Sequence, residues 1–238
     1  MSKKHSEAAQ AFRAAVPVTL PVLAAYTFLG FSYGIYMSSL GFAPWVPFVL
    51  ALVIYGGSLE FLMGGFLLSS FAPLSVFLVS LMVQGRHLFY GIAMLDRFKG
   101  TGWKKPYLIY ALTDETFAVT YTARVPENIN PTWHQFWVSL LNQSYWAFAA
   151  LIGGLVGGNL PWDLTGIDFV MTAMFLCIFL DQAFKETKHY TAVIGFVASI
   201  GALLIFGADS FMIPAMVGIV MLLTILRKPL EKAGGFAQ

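Results

Sequence analysis

Apolar residues along this chain fall into eight stretches, near 16–40, 45–71, 74–96, 106–123, 136–158, 165–184, 190–207 and 210–226. Most are about 20 residues long, the length a helix needs to cross a hydrocarbon layer of roughly 30 Å; barrel strands would instead alternate in units of about 10 residues. Two stretches are interrupted. The first holds "YGGSLEFLMGG" (55–65), with four glycines and Glu60, and the second holds "TDET" (113–116). The pattern predicts an all-α fold in which 45–71 breaks at YGGS and again at GG, and 106–123 breaks at TDET.

Charge placement turns these breaks into a topology. Lys and Arg stay on the cytoplasmic side of short loops. Eight simple crossings would put "DRFKGTGWKK" (96–105) outside while the other basic loops lie inside. It returns inside if 45–71 and 106–123 dip into the membrane and come back on the side they entered. Of the fourteen Lys and Arg, only Arg86 lies in mid-span, and the other thirteen then become cytoplasmic. Six transmembrane helices plus two re-entrant broken-helix hairpins, with both termini cytoplasmic, is the preferred reading; eight transmembrane helices is the alternative. Each hairpin leg, at about 12 residues, reaches the midplane. One hairpin enters from outside and the other from inside, the antiparallel arrangement in which broken helix ends meet at a central site. Irregular backbone at that depth must be buried in protein or line a wet cavity.

Composition agrees with a membrane protein. Residues are 58% hydrophobic and 11% charged, against about 25% charged in soluble domains. The N-terminus is basic and then apolar well past the length of a signal core, so it reads as an uncleaved first span. Residues 1–238 read as a single transmembrane domain, multi-pass in a lipid membrane. The single Cys177 leaves no disulfide framework, and no His/Cys/Asp/Glu spacing suggests a metal. No P-loop, cofactor motif or nucleic-acid footprint is present. Trp45, Trp103, Trp133 and Trp162 fall at expected interfaces, and Asp168 and Asp181 sit near the ends of their span. "GGLVGG" (153–158) pairs Gly153 with Gly157 and Gly154 with Gly158, for close helix packing. That packing is either within the chain or against a second protein, which leaves a higher oligomer open.

Four charged side chains lie inside apolar stretches: Glu60, Arg86, Asp114 and Glu115, with His87 beside Arg86. Each costs about 2.5–3.5 kcal/mol at a bilayer centre and faces a bundle interior or cavity. They occupy "YGGSLEF", "QGRHLFYG" and "LTDETFA", which are two hairpin tips and the middle of a span. All three are expected to meet near the midplane. Arg86 either forms a buried ion pair with Glu60 or Asp114 that ties helices together, or receives a substrate carboxylate, which suits its planar fork. Three acids facing one Arg cannot all be ionised and paired, so one can carry a proton or bind an ammonium. Thr113 or Asp114 can equally cap a helix over 115–124, with acids favoured in its first turn. His87 is a proton relay or an ordinary hydrogen-bonded helix histidine.

These stretches together resemble the AzlC family, the large subunit of a two-component branched-chain amino acid exporter. The resemblance lies in "LP…LGFSYGIYMSSLGF", "YGGSLEF", "GRHLFYG" and "LTDETFA", across roughly residues 13–125. It implies proton-coupled export of small apolar amino acids (valine, leucine, isoleucine, methionine) across a bacterial inner membrane, with a small AzlD-type membrane subunit. It also implies a substrate site at Ser58, Glu60, Arg86, His87, Asp114 and Glu115, with Glu60, His87, Asp114 and Glu115 as proton-coupling candidates. Phe61, Phe89 and Phe117 would wall the aliphatic side chain. The family pattern often has Gln at position 60 and Asn at position 84, where this chain has Glu60 and Gln84. The chain is not expected to be an enzyme. An intramembrane hydrolase built on Ser58 and His87 lacks oxyanion donors, and a non-transporting scaffold would not need three polar clusters at one depth. A transporter or channel for another small molecule or cation is the alternative that the extra acids allow.

Overall fold

In a computed structural model, the structure describes residues 2–123, 125–158, 189–207 and 211–227, with isolated positions between 169 and 184 and at 229. Described elements are helical throughout. The chain forms two compact units, Met1–Val170 and Met171–Gln238. The expectations for Arg124, Trp162, Asp168, Cys177 and Asp181 and for the basic run 185–188 fall outside the described residues.

In the first unit α1 spans Ser2–Ser39, α2 Trp45–Val53, α3 Gly57–Leu68, α4 Pro73–Met94, α5 Lys105–Tyr110, α6 Asp114–Thr122 and α7 Pro131–Gly157, with a 3-10 turn at Gly102–Lys104 before α5. In the second unit α8 spans Tyr190–Phe206 and α9 Met212–Ile225, and the two pack together. Glu7–Ser39 within α1, and Pro73–Met94, are long and apolar enough to cross a membrane. The helix ends follow the apolar stretches closely, except that α1 starts at Ser2 rather than near 16. At about 1.5 Å per residue its 38 residues reach about 57 Å, well beyond a hydrocarbon layer.

The scaffold is the parallel pair α1–α7. Trp137 Nε1 donates to Ala8 O at 2.9 Å, and Thr19 Oγ1 lies 3.2 Å from Tyr145 OH. Further along, the Tyr26 and Trp146 rings meet edge-on at 5.3 Å. The backbones approach most closely at Gly34 and Gly153: a methyl at Gly34 would collide with the Ala150 carbonyl, and one at Gly153 with the Phe31 carbonyl. Gly157 meets Ile35 and Ser38 of α1, and Gly154 meets Pro44. The GGLVGG glycines therefore close a joint within the chain, on small-residue faces suited to near backbone contact.

Two broken helices pack on this pair from opposite ends. The first, α2–α3, starts with Pro44 beside Gly154, runs back along α7 through Phe48 on Phe148, and reaches Gln143 at Leu52. There it breaks at residues 54–56, where Tyr55 takes φ 46°. It then returns along α1, with Phe61 on Tyr33 and Tyr36, and Gly64 against Tyr36, Met37 and Leu40. The expected second break at GG does not occur: α3 runs through Gly64 and Gly65 to Leu68. Gly64 lets α3 approach α1 instead of ending the helix, since any side chain there would press on Leu40 and Met37.

The second broken helix, α5–α6, belongs to the other end. Lys104 Nζ lies 3.7 Å from the Trp133 ring centre near the start of α7, and Trp103 meets Phe136. The chain breaks at Ala111–Thr113 and α6 returns to its starting level. There Arg97 Nη1 donates to Thr120 O at 2.6 Å and the guanidinium lies over Tyr121. Met94, Phe98, Leu108 and Leu112 form the buried cluster that closes this end.

Candidate functional site

The two breaks and the middle of α4 meet, as the three polar stretches require. Arg86 Nη2 lies 2.9 Å from Asp114 Oδ2 at the start of α6 and 3.5 Å from Ser58 Oγ in the first turn of α3. One guanidinium thus bridges both broken helices. Of the two partners considered for Arg86, the structure selects Asp114. His87 Nε2 stands 3.7 Å from Asp114 Oδ1, and its ring is 5.8 Å from Tyr90, which stacks on Phe117 at 4.5 Å. Arg86 and Asp114 side chains remain 29% and 31% exposed. Their charges are paired without being sealed, so the pair can be opened more readily than a fully buried one.

Local sequence explains both helix starts. Thr113 is the N-cap of α6, its Oγ1 accepting from Thr116 N, with Asp114 and Glu115 in the first turn. Of the two caps considered, Thr113 is the one used, and the acids sit where the N-terminal helix dipole favours them. The first break has no such cap on Gly56. Instead Glu60 reaches back one turn and accepts from Gly56 N at 3.0 Å. Gln84 of α4 packs directly on Gly56, where any side chain would collide with its amide.

The other two acids face away from Arg86. Glu60 is fully buried and accepts Trp146 Nε1–H at both oxygens, at 3.0 and 2.9 Å. Glu115 Oε2 accepts from Tyr26 OH at 2.7 Å, and that hydroxyl is also 2.9 Å from Thr113 Oγ1. Of the expected apolar walls, Phe61 packs against Tyr33 and Tyr36 and Phe117 against Tyr90, while Phe89 is 72% exposed. Phe89 therefore takes no part in this aromatic packing.

Several residues at the site were not singled out from sequence. On α7, Asn142 Nδ2 donates to Thr116 Oγ1 at 3.2 Å and Gln143 accepts from Tyr107 OH at 2.7 Å. Gln143 Nε2 and Tyr110 OH both donate to Leu52 O, a last-turn carbonyl that the break of α2 leaves without its helical partner. The missed signal is periodic. Gln135, Ser139, Asn142, Gln143 and Trp146 recur at helical spacing in an otherwise apolar span, and all are buried. Tyr26 carried no such signal. Gln84 Oε1, Arg86 Nε and Asn142 Oδ1 are buried without a hydrogen-bond partner among the described residues. Among the described residues, no group of three or more His, Cys, Asp or Glu could hold a metal ion.

A helical chain with two membrane-length helices, two broken helices and an ion pair between α4 and the second break has the architecture of a membrane protein with a central polar site. The comparisons with known proteins agree. Residues 21–160 match the family model described as AzlC protein, and the chain belongs to the AzlC family. It is 49% identical over 230 residues to "Branched-chain amino acid transport protein AzlC" of Bacillus subtilis, covering 97% of this chain and 91% of that protein. It is 41% identical to an "Uncharacterized membrane protein" of Haemophilus influenzae over 93% of this chain and 91% of the other. It is 26% identical to "Inner membrane protein YgaZ" of Escherichia coli over 84% and 82%. No solved structure matches the chain. These relatives are named as membrane or transport proteins, none as an enzyme.

Proposed function

We propose that this chain is a secondary exporter of branched-chain or other small apolar amino acids, moving valine, leucine, isoleucine or methionine out of the cell in exchange for protons. The carrying observation is Arg86, held between Ser58 of one broken helix and Asp114 of the other, in a chain of the AzlC family. A substrate carboxylate competes with Asp114 for the guanidinium, whose fork suits two parallel bonds. Both α3 and α6 begin here, and their N-terminal ends favour the same negative group. Asp114, once released, takes the substrate ammonium or the coupled proton, with His87 beside it and Glu115 one residue further on. Buried orphan groups at Gln84, Arg86 and Asn142 are further points for a polar ligand.

The same reading holds residues 1–238 as one transmembrane transporter domain in the bacterial inner membrane, with six spanning helices, two re-entrant hairpins and cytoplasmic termini. Two contacts support the hairpins over eight crossings. Lys104 on Trp133 brings the 96–105 loop to the end where α7 begins, and Arg97 on Thr120 closes α5–α6 on one side. A reporter fused near Gly102 gives a cytoplasmic signal; an extracellular one sinks the hairpins. A small AzlD-type subunit completes the exporter, and co-purification with such a partner tests it.

Efflux of preloaded labelled leucine from vesicles tests the function itself. Export that survives Arg86→Ala undiminished would overturn the carboxylate site. Transport of another small molecule or a cation is the second reading, favoured by three carboxylates against one guanidinium at the two breaks. It predicts efflux of a cationic substrate, and none of leucine, in the same vesicles.

A further inference from the structure

The transport reading leaves Glu60 unused, although it is the most enclosed charged residue of the site. Both of its oxygens are occupied: Oε1 accepts from Gly56 N and Trp146 Nε1, and Oε2 from Trp146 Nε1. Its carboxylate thus lies along the indole edge and the backbone of the first break, not toward Arg86. The far edge of the same indole packs on Gly57, where a methyl would sit 3.2 Å from Cη2 and Cζ2. The indole therefore grips the first break at two points.

Trp146 also reaches the second break. Its ring meets Tyr26 edge-on at 5.3 Å, and Tyr26 OH donates to Glu115 and touches Thr113, the N-cap of α6. Tyr33 stacks nearly parallel to the indole, at 6.0 Å and 10°, and is itself backed by Phe61 at 5.1 Å. A buried side chain with fixed hydrogen bonds and aromatic neighbours has one orientation, because a rotated indole would leave its N–H and the acid unpaired.

We propose that Trp146 is a positioning residue that holds the two helix breaks in register, the first through Glu60 and Gly57 and the second through Tyr26. Glu60 acts through Trp146 and touches no substrate. The register matters because Ser58 and Asp114, the two groups that Arg86 bridges, are each within two residues of the points that are held: Ser58 beside Gly57, and Asp114 beside Thr113. The inference rests on the exporter reading for its transport readout, and on the geometry alone for its stability readout.

The test is a double-mutant cycle in the full chain, using Glu60→Gln, Trp146→Phe and the pair together. Trp146→Phe keeps a ring against Tyr26 and Tyr33 but loses the N–H. In leucine efflux, each single substitution raises KM about five- to tenfold while kcat stays within twofold. The double variant matches the worse single one, because both disturb one unit. Tyr26→Phe raises KM similarly. Multiplying effects, or a Glu60→Gln chain with abolished turnover beside a near-parental Trp146→Phe, would overturn the proposal. Should Trp146→Phe fail to accumulate, the KM-against-kcat split of Glu60→Gln alone decides. Thermal unfolding of the same purified variants separates the two readings. If the parent moves no leucine, the exporter reading fails, while additive or non-additive shifts in unfolding temperature still judge the unit.

Discussion

The two broken helices place acids at the same depth and treat them oppositely. In α2–α3 the break is held without a side-chain cap, Tyr55 takes a left-handed backbone, and Glu60 is fully buried with N–H donors on both oxygens. In α5–α6 the break is capped by Thr113, and Asp114 stands about one-third exposed against Arg86. A fully buried acid held by an indole and a backbone donor is shielded from a ligand by the packing around it. An acid paired with a half-open guanidinium can exchange its partner for a substrate. On the exporter reading, the contrast makes the first hairpin a scaffold and gives the chemical role to the second, with Arg86 of α4 and the polar face of α7 joining them.

Removing Arg86 should break the contrast most completely. Arg86→Ala leaves Asp114 partly buried beside His87 and Tyr90, without its cationic partner, and removes the carboxylate fork. Leucine efflux should fall about 100-fold, the scale of a lost charge-assisted bond of about 2–3 kcal/mol. The acids themselves give the sharper comparison. Asp114→Asn should cut efflux at least tenfold, with turnover lost, whereas Glu60→Gln should keep turnover within twofold and act on KM. Equal losses of turnover for both would erase the distinction between the hairpins.

Much of this was legible in the chain itself. The YGGS break follows from glycine in an apolar run, and the need to bring Lys104 and Arg97 to the side of the other basic loops pointed to two hairpins. A cap at Thr113 or Asp114 follows from Thr-Asp-Glu ahead of an apolar turn, and the structure uses Thr113. What stayed hidden depends on partners far along the chain. Glu60 looked like a mate for Arg86 because both are charged; its partner is an indole 86 residues away. The glycines at 64–65 looked like a second break because glycine weakens a helix, yet Gly64 serves the approach of α3 to α1. Helix period and local capping act within one turn and can be read directly. Which buried donor meets which acid is decided by how helices cross, and one sequence does not carry that.

A fourth substitution probes the cap of the second hairpin. Thr113→Val keeps the shape but loses the oxygen that accepts Thr116 N and lies beside Tyr26 OH. A lost N-cap costs about 1 kcal/mol, read as a lowered unfolding temperature in detergent, with efflux reduced less than by Asp114→Asn. An unchanged unfolding temperature would mean that α6 is held by its contacts with Arg86, Tyr26, Asn142 and Arg97 rather than by its cap.

The smallest expected effect lies at the first hairpin's contact with Arg86. Ser58 Oγ is 3.5 Å from Nη2, at the outer limit of a hydrogen bond, whereas Asp114 is at 2.9 Å. If the first hairpin is scaffold, Ser58→Ala should raise the leucine KM only about threefold and leave kcat unchanged, since a long bond of this kind contributes at most about 1 kcal/mol. A loss of turnover as large as that of Asp114→Asn would show instead that both hairpin tips act directly on the substrate. The division between them would then lie in how each tip is supported, with Glu60 and Trp146 behind one and Thr113 behind the other.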